Sequence, residues 1–276
     1  MEQVKLSCLP VSLFPEITSG KMSIPQWAAE AKKLGLDGFD ISVMFLKNHT
    51  PVYLRGLKEQ LAEVGLPIAM ACTYPDFSNP DAVQRRRELD YLRYDIAICA
   101  ELGVKNLRVL AGQARPGLKR EQAVQWAVEG LREAAATADA YGLQLVYEDH
   151  AKPGAWDYID FSFPPDIFLE ICAGLRGTSV GVNFDTANIV AAGWDVMPVL
   201  EQVADKIRTV HVADTAEKGV FSPVLIGTGA TPLHDIFAYL KRRGFDGWLC
   251  IEEASNMGLA GVAKAVENTR RLWEEA

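Results

Sequence analysis

Four side chains able to share one cation stand at equivalent places in the sequence: Glu148, Asp185, His211 and Glu252 lie at or beside the end of short apolar runs. Alternation indicates where they point. In Val180-Gly181-Val182-Asn183-Phe184-Asp185, the residues Gly181, Asn183 and Asp185 share one face of a strand, and Val180, Val182 and Phe184 share the other. The apolar face has to pack against neighbouring elements, so Asp185 points to the opposite side. The same parity groups Glu148 with Gln144 and Val146, and sets Glu252 opposite Leu249 and Ile251. His211 falls with Ile207 and Thr209, although Arg208 then occupies a face that should be apolar. Three carboxylates crowded together repel one another, and burying an unpaired one is costly or shifts its pKa. A shared divalent cation removes that repulsion; an ionic network without a metal is the plainer alternative.

Three oxygen donors and one imidazole suit Mn²⁺, Mg²⁺ or Co²⁺ better than a thiolate-type zinc or iron site. Mn²⁺ is the expected ion, with Mg²⁺, Co²⁺ or Zn²⁺ as alternatives. Four protein ligands on an ion that takes about six leave room for two substrate oxygens. That suits a hydroxyketone, whose carbonyl the metal polarises and whose enediolate it stabilises.

Such a set needs a scaffold that gathers consecutive strand ends. One punctuation mark recurs: Gly35, Gly65, Gly103, Gly142 and Gly244 each close a helix-like stretch and precede an apolar, β-prone run. Eight strands are expected at 4–9, 38–42, 67–72, 106–112, 143–148, 180–185, 207–212 and 248–252. Helices are expected at 25–34, 52–64, 81–102, 119–141, 166–175, 196–204, 233–243 and 262–275. Eight alternating pairs predict a single (β/α)8 TIM barrel spanning 1–276, closed so that no sheet edge remains. A doubly wound sheet is the alternative, but no G-x-G-x-x-G follows the first strand, and no nucleotide cofactor is expected. The long segments 150–165 and 213–232 follow strands five and seven, where a barrel keeps its catalytic loops.

Composition narrows the partners. The 276 residues carry a formal net charge of −8, which makes nucleic acid and anionic membranes poor partners. No run of about 18 apolar residues could span a bilayer, and the first residues lack the basic stretch of a signal peptide. Five cysteines at 8, 72, 99, 172 and 250 form no C-x-x-C pair, so the reducing cytoplasm is the expected location.

The stretches Leu145–His150, Gly181–Asn188, Val210–Asp214 and Gly244–Glu252 resemble the sugar phosphate isomerase/epimerase superfamily, the xylose isomerase-like barrels. The resemblance spans nearly the whole chain. It implies that Glu148, Asp185, His211 and Glu252 hold one metal ion. It also implies that Glu148 and Glu252 act as the acid/base pair, one on each face of a carbohydrate substrate. Two positions depart from the free-ketose 3-epimerases: Asn188 stands where they carry a His, and Glu217 where they carry an Arg. Thr215-Ala216 after Asp214 implies a single metal, and four histidines in an acidic chain disfavour the trinuclear DNA-repair branch.

Substrate contacts are expected from His150, Asn188 and Asp214, with Asp214 alternatively supporting His211. Gly227 and Gly229 could offer backbone N–H groups to an anion; Arg115, Lys152 and Lys218 could meet a phosphate or simply be solvated. Trp156, Tyr158, Phe161 and Phe163 could line a sugar pocket, bury their loop, or meet a neighbouring subunit, which leaves a homo-oligomer open. Asp40 and Arg108, both of inner-face parity, are expected to pair inside the barrel.

The expected function is therefore metal-dependent isomerisation or epimerisation of a ketose or ketose phosphate. The alternatives are an inosose- or dehydroshikimate-type dehydratase on the same site, and a catalytically silent sugar- or protein-binding barrel.

Overall fold

Alternating apolar runs and amphipathic stretches give eight strands: β1 (Lys5–Leu9), β2 (Phe39–Ser42), β3 (Ile68–Cys72), β4 (Asn106–Val109), β5 (Gln144–Glu148), β6 (Gly181–Asp185), β7 (Ile207–Val212) and β8 (Trp248–Glu252). The structure is a computed structural model and describes residues 4–276. The helices are α1 (Phe14–Thr18), α2 (Ile24–Lys33), α3 (Pro51–Val64), α4 (Ala82–Glu101), α5 (Arg120–Tyr141), α6 (Pro165–Gly174), α7 (Asn188–Ala191), α8 (Val196–Val203), α9 (Leu233–Arg242) and α10 (Gly258–Glu275).

Local signals account for the boundaries. Ser23 and Gln26 form a reciprocal capping box at the start of α2, and Asp81 accepts from Val83 N at the start of α4. Gly65 and Gly142 close α3 and α5 in the left-handed conformation, φ 68° and 69°. The carboxyl end of β4 comes earlier than its apolar run suggests. Gly112 turns at φ 129°, and Gln113 is captured there by the Asp76 carboxylate and by Ser78.

The strands pair in parallel in the order β1-β8-β7-β6-β5-β4-β3-β2. The sheet is thus a nearly closed barrel rather than the edgeless one expected, because β1 and β2 share no ladder. Isolated bonds bridge that seam: Asp37 N donates to Leu6 O at 2.9 Å, Leu6 N to Asp37 Oδ2 at 2.9 Å, and Ser7 Oγ to Asp40 Oδ2 at 2.8 Å. Asp40 spends its carboxylate there, and Arg108 pairs with Glu148 instead, so the expected Asp40–Arg108 bridge is not formed.

Two apolar regions flank the sheet. A large one fills the space between strands and helices, and a small one inside the barrel holds Leu9, Met70, Cys72, Val146 and Cys250. Arg208 breaks the outward apolar pattern of β7 without being buried. It lies beside a register shift at Val182/Asn183, and Gly181 leaves room for its stem, since a Cβ there would stand 2.5 Å from Arg208 Cγ.

Candidate metal centre

Parallel pairing sets the carboxyl ends of β5 to β8 side by side. Asp185 on β6 is in register with His211 on β7, and Glu148 on β5 is in register with Asn183 on β6. The four expected ligands converge: one donor atom from each of Glu148, Asp185, His211 and Glu252 lies within 4.8 Å of the others. The first three side chains are fully or almost fully buried, whereas Glu252 keeps 18 % of its side chain exposed.

Each donor is held differently. Glu148 Oε1 accepts from Asn183 Nδ2 at 3.0 Å and contacts His211 Nδ1; Asn183 is fixed in turn by Thr209 Oγ1 at 2.7 Å. Glu148 Oε2 stands 2.9 Å from Arg108 Nε, close enough for an ion pair though poorly aligned for a hydrogen bond. Asp185 Oδ1 accepts from Ala187 N and Asn188 N, each at 2.7 Å, and so caps the short helix α7. His211 Nδ1 is 3.8 Å from Glu252 Oε2.

The electrostatics follow from burial and crowding. Burial opposes the charge on Glu148, but His211 and Arg108 outweigh it and hold the carboxyl at about 2. Burial pushes Asp185 well above the carboxylate range, and Glu252 and Glu148 push it further. His211 loses by desolvation yet is raised overall by Glu148 and Glu252. Among the described residues, Glu148 Oε2, Asp185 Oδ2 and His211 Nε2 are buried with no hydrogen-bond partner. Unpartnered buried donor atoms amid mutually repelling carboxylates are what a divalent cation would satisfy, so the residues fit a metal.

A cavity of about 310 Å³ opens onto Asp185 and Glu252. His150, Asn188 and Asp214 also line it, so all three expected contact residues reach its wall. Burial lowers His150 to about 3, keeping its imidazole neutral. Asn188 donates through Nδ2 to Asp149 O at 3.0 Å. Asp214 accepts four backbone N–H groups from its own loop. Arg115 pairs with Asp76, and Lys218 with Asp195 on the surface. Trp156 and Phe161 are buried, whereas Tyr158 is exposed. Asp149 was not singled out from the sequence. It accepts from Asp185 N at 2.9 Å, and its position next to Glu148 was the available signal.

The family model described as the xylose isomerase-like TIM barrel matches residues 28–274. The chain belongs to that family. Among curated xylose isomerase-like relatives, a putative hydroxypyruvate isomerase of Streptomyces coelicolor is 30 % identical over 172 residues, covering 60 % of each chain. The chain therefore spans three fifths of that relative's length. An inosose dehydratase of Geobacillus thermodenitrificans is 23 % identical over 308 residues, covering 99 % of this chain and 97 % of the relative. A crystal structure of a D-tagatose 3-epimerase-like protein superposes with a TM-score of 0.79 at 16 % identity, covering 98 % and 97 %, a likeness that shows the fold. Among the described residues no helix is long and apolar enough to cross a membrane.

Proposed function

We propose that this xylose isomerase-like barrel is a divalent-metal-dependent isomerase or epimerase of a ketose or related hydroxyketone. The observation carrying the proposal is the convergence of Glu148, Asp185, His211 and Glu252, with Asp185 and Glu252 on the cavity wall and, among the described residues, no hydrogen-bond partner for Glu148 Oε2 or Asp185 Oδ2. These four residues would hold the cation, Mn²⁺ being the best match to three carboxylates and one imidazole. When bound, it would supply Lewis-acid polarisation of a substrate carbonyl and balance the negative charge left by deprotonating the neighbouring carbon.

The chain's own groups then divide the work. Glu252 keeps an open side toward the cavity and, among the described residues, no hydrogen-bonding partner holds its carboxylate, so it is the group best placed to take a carbon-bound proton. Glu148, at the end of β5, rests ionised, so in an epimerisation it would deliver to the opposite face a proton first taken up from water. Arg108, His211 and Asn183 fix its position for that transfer. His150, Asn188 and Asp214 bound the space beside the reacting carbon.

A dehydratase is the second reading, favoured by the asymmetry of the two glutamates and by the inosose dehydratase relative of nearly equal length. One exposed base and one pinned carboxylate suit removal of an α-proton followed by loss of a β-hydroxyl.

The test is a panel of ketoses, ketose phosphates and inososes incubated with metal-loaded protein in deuterated water. Deuterium at the α-carbon, lost in Glu252→Gln, supports the proposal; unchanged product mass apart from the label marks an isomerase, and loss of water marks a dehydratase. Undiminished exchange in both Glu148→Gln and Glu252→Gln would overturn it.

A further inference from the structure

Three inner-face residues stand in line across neighbouring strands: Glu148 on β5 is in register with Asn183 on β6, and Asn183 with Thr209 on β7. A register shift makes that alignment. Continued evenly from Val182–Ile207, the β6/β7 ladder would set Asn183 opposite Arg208 and Asp185 opposite Val210. The shift passes over Arg208 and brings Thr209 against Asn183 and His211 against Asp185. An extra residue in one strand re-aims side chains in this way.

The three side chains then hydrogen-bond in sequence. Thr209 Oγ1 donates to Asn183 Oδ1 at 2.7 Å, and Asn183 Nδ2 donates to Glu148 Oε1 at 3.0 Å. All three are wholly buried, so losing one partner leaves the next polar group unpaired. Neither Asn183 nor Thr209 lines the cavity.

An amide has one donor end and one acceptor end, and its neighbours decide which faces the carboxylate. Turned over, Asn183 would aim Oδ1 at Glu148 Oε1, two acceptors with no proton between them while Glu148 is ionised. The Thr209 hydroxyl carries a single proton, and its other neighbour, Met70 Sδ at 3.8 Å, is a weak acceptor. The proton therefore goes to Asn183 Oδ1, and Nδ2 is left to hold Glu148. With Oε2 beside Arg108 Nε at 2.9 Å, the carboxylate is met at both oxygens.

We infer that Thr209 is a positioning residue for the proposed metal centre. Acting through the Asn183 amide, it fixes the rotation of the Glu148 carboxylate, and so the spacing of Glu148 from the other three donors. This role rests on the function proposed above and belongs to a residue that touches neither ion nor substrate.

The experiment titrates metal-free protein with Mn²⁺ alone, followed by calorimetry. Thr209→Val keeps the side-chain shape, removes the hydroxyl, and is expected to weaken binding about 10–100-fold. Thr209→Ser keeps the hydroxyl and is expected to bind as the wild type does. Asn183→Leu should lose as much as Thr209→Val, and the double variant no more than either, because Thr209 acts only through the amide. A merely structural role would lower stability and leave the Mn²⁺ affinity where it was. Undiminished affinity in folded Thr209→Val, or losses that add in the double variant, overturns the inference and leaves the proposed function intact. If the variants do not fold, the Asn183 side-chain amide of metal-free wild type decides by NMR. Its protons should exchange slowly with solvent, and exchange at the rate of a surface amide overturns the inference. A wild type that binds none of Mn²⁺, Mg²⁺, Co²⁺ or Zn²⁺ overturns the proposed centre and this role with it.

Discussion

Arg108 and Glu148 form a buried ion pair across β4 and β5, with Nε 2.9 Å from Oε2 and both side chains at most 1 % exposed. The Arg108 guanidinium also lies 4.9 Å from the Tyr74 ring centroid and donates through Nη1 to Thr73 O. The pair fixes one wall of the candidate metal centre without a cation.

Removing one partner of a buried pair leaves a naked charge, which costs about 3–5 kcal/mol. Arg108→Met is therefore expected to lose stability of that order in metal-free protein, measured by urea denaturation. Saturating Mn²⁺ should recover part of the loss, because a cation beside Glu148 takes over the compensation. A deficit that does not respond to metal would contradict the assignment of Glu148 as a ligand.

The two glutamates should separate by stability although the proposed function assigns both to exchange. Glu148→Gln strands a buried guanidinium and, as the other half of the same pair, is expected to cost about 3–5 kcal/mol in metal-free protein. Glu252→Gln changes a partly exposed side chain without a close ion partner and should stay within about 0.5 kcal/mol of wild type. Its exchange rate should nevertheless drop by about 10²–10⁴-fold.

Chelation is expected to lower the melting temperature, and re-addition of a divalent ion at a hundred times its Kd should restore about 2.7 kcal/mol. The restoration should vanish in His211→Ala, which removes the imidazole whose Nδ1 faces Glu148 and Glu252. Calorimetric melting with and without metal measures both.

Asp95 on α4 gives a pH signature remote from the site. Burial, reinforced by Glu88, raises its carboxyl from the ordinary 3.8 to about 7. Between those values the folded chain binds more protons than the unfolded one, so this contribution to stability falls as pH climbs from roughly 4 to 7 and then levels off. Asp95→Asn removes the penalty and should be the more stable protein at pH 8, with a flatter profile below it. Chemical denaturation at pH 5 and pH 8 measures the difference.

Strand parity made the convergence of the four side chains legible because it depends only on local alternation, which Gly181–Asp185 and Trp248–Glu252 follow cleanly. The family resemblance then pointed to His150 and Asn188 on the cavity wall. Partner choice was not legible. Asp40 and Arg108 share inner-face parity, yet their pairing depends on depth along the barrel and on the β1/β2 seam, where Ser7 intercepts Asp40. Arg208 looked wrong for β7 because a register shift and a missing Cβ on the neighbouring strand leave no mark in its own sequence. Gly227 and Gly229 did signal an anion, but nothing in the linear order said it would be Asp214.

The place of β8 between β1 and β7 sets the order in which the centre can be assembled. Lys5 is in register with Trp248, so the first and last staves meet only after some 240 intervening residues have been made. Glu252 rides on that final stave. A nascent chain thus carries Glu148, Asp185 and His211 as an incomplete trio until its last strand slots home. Capture of an ion by the proposed centre would consequently be a late event in biogenesis, coupled to the long-range closure that limits folding speed.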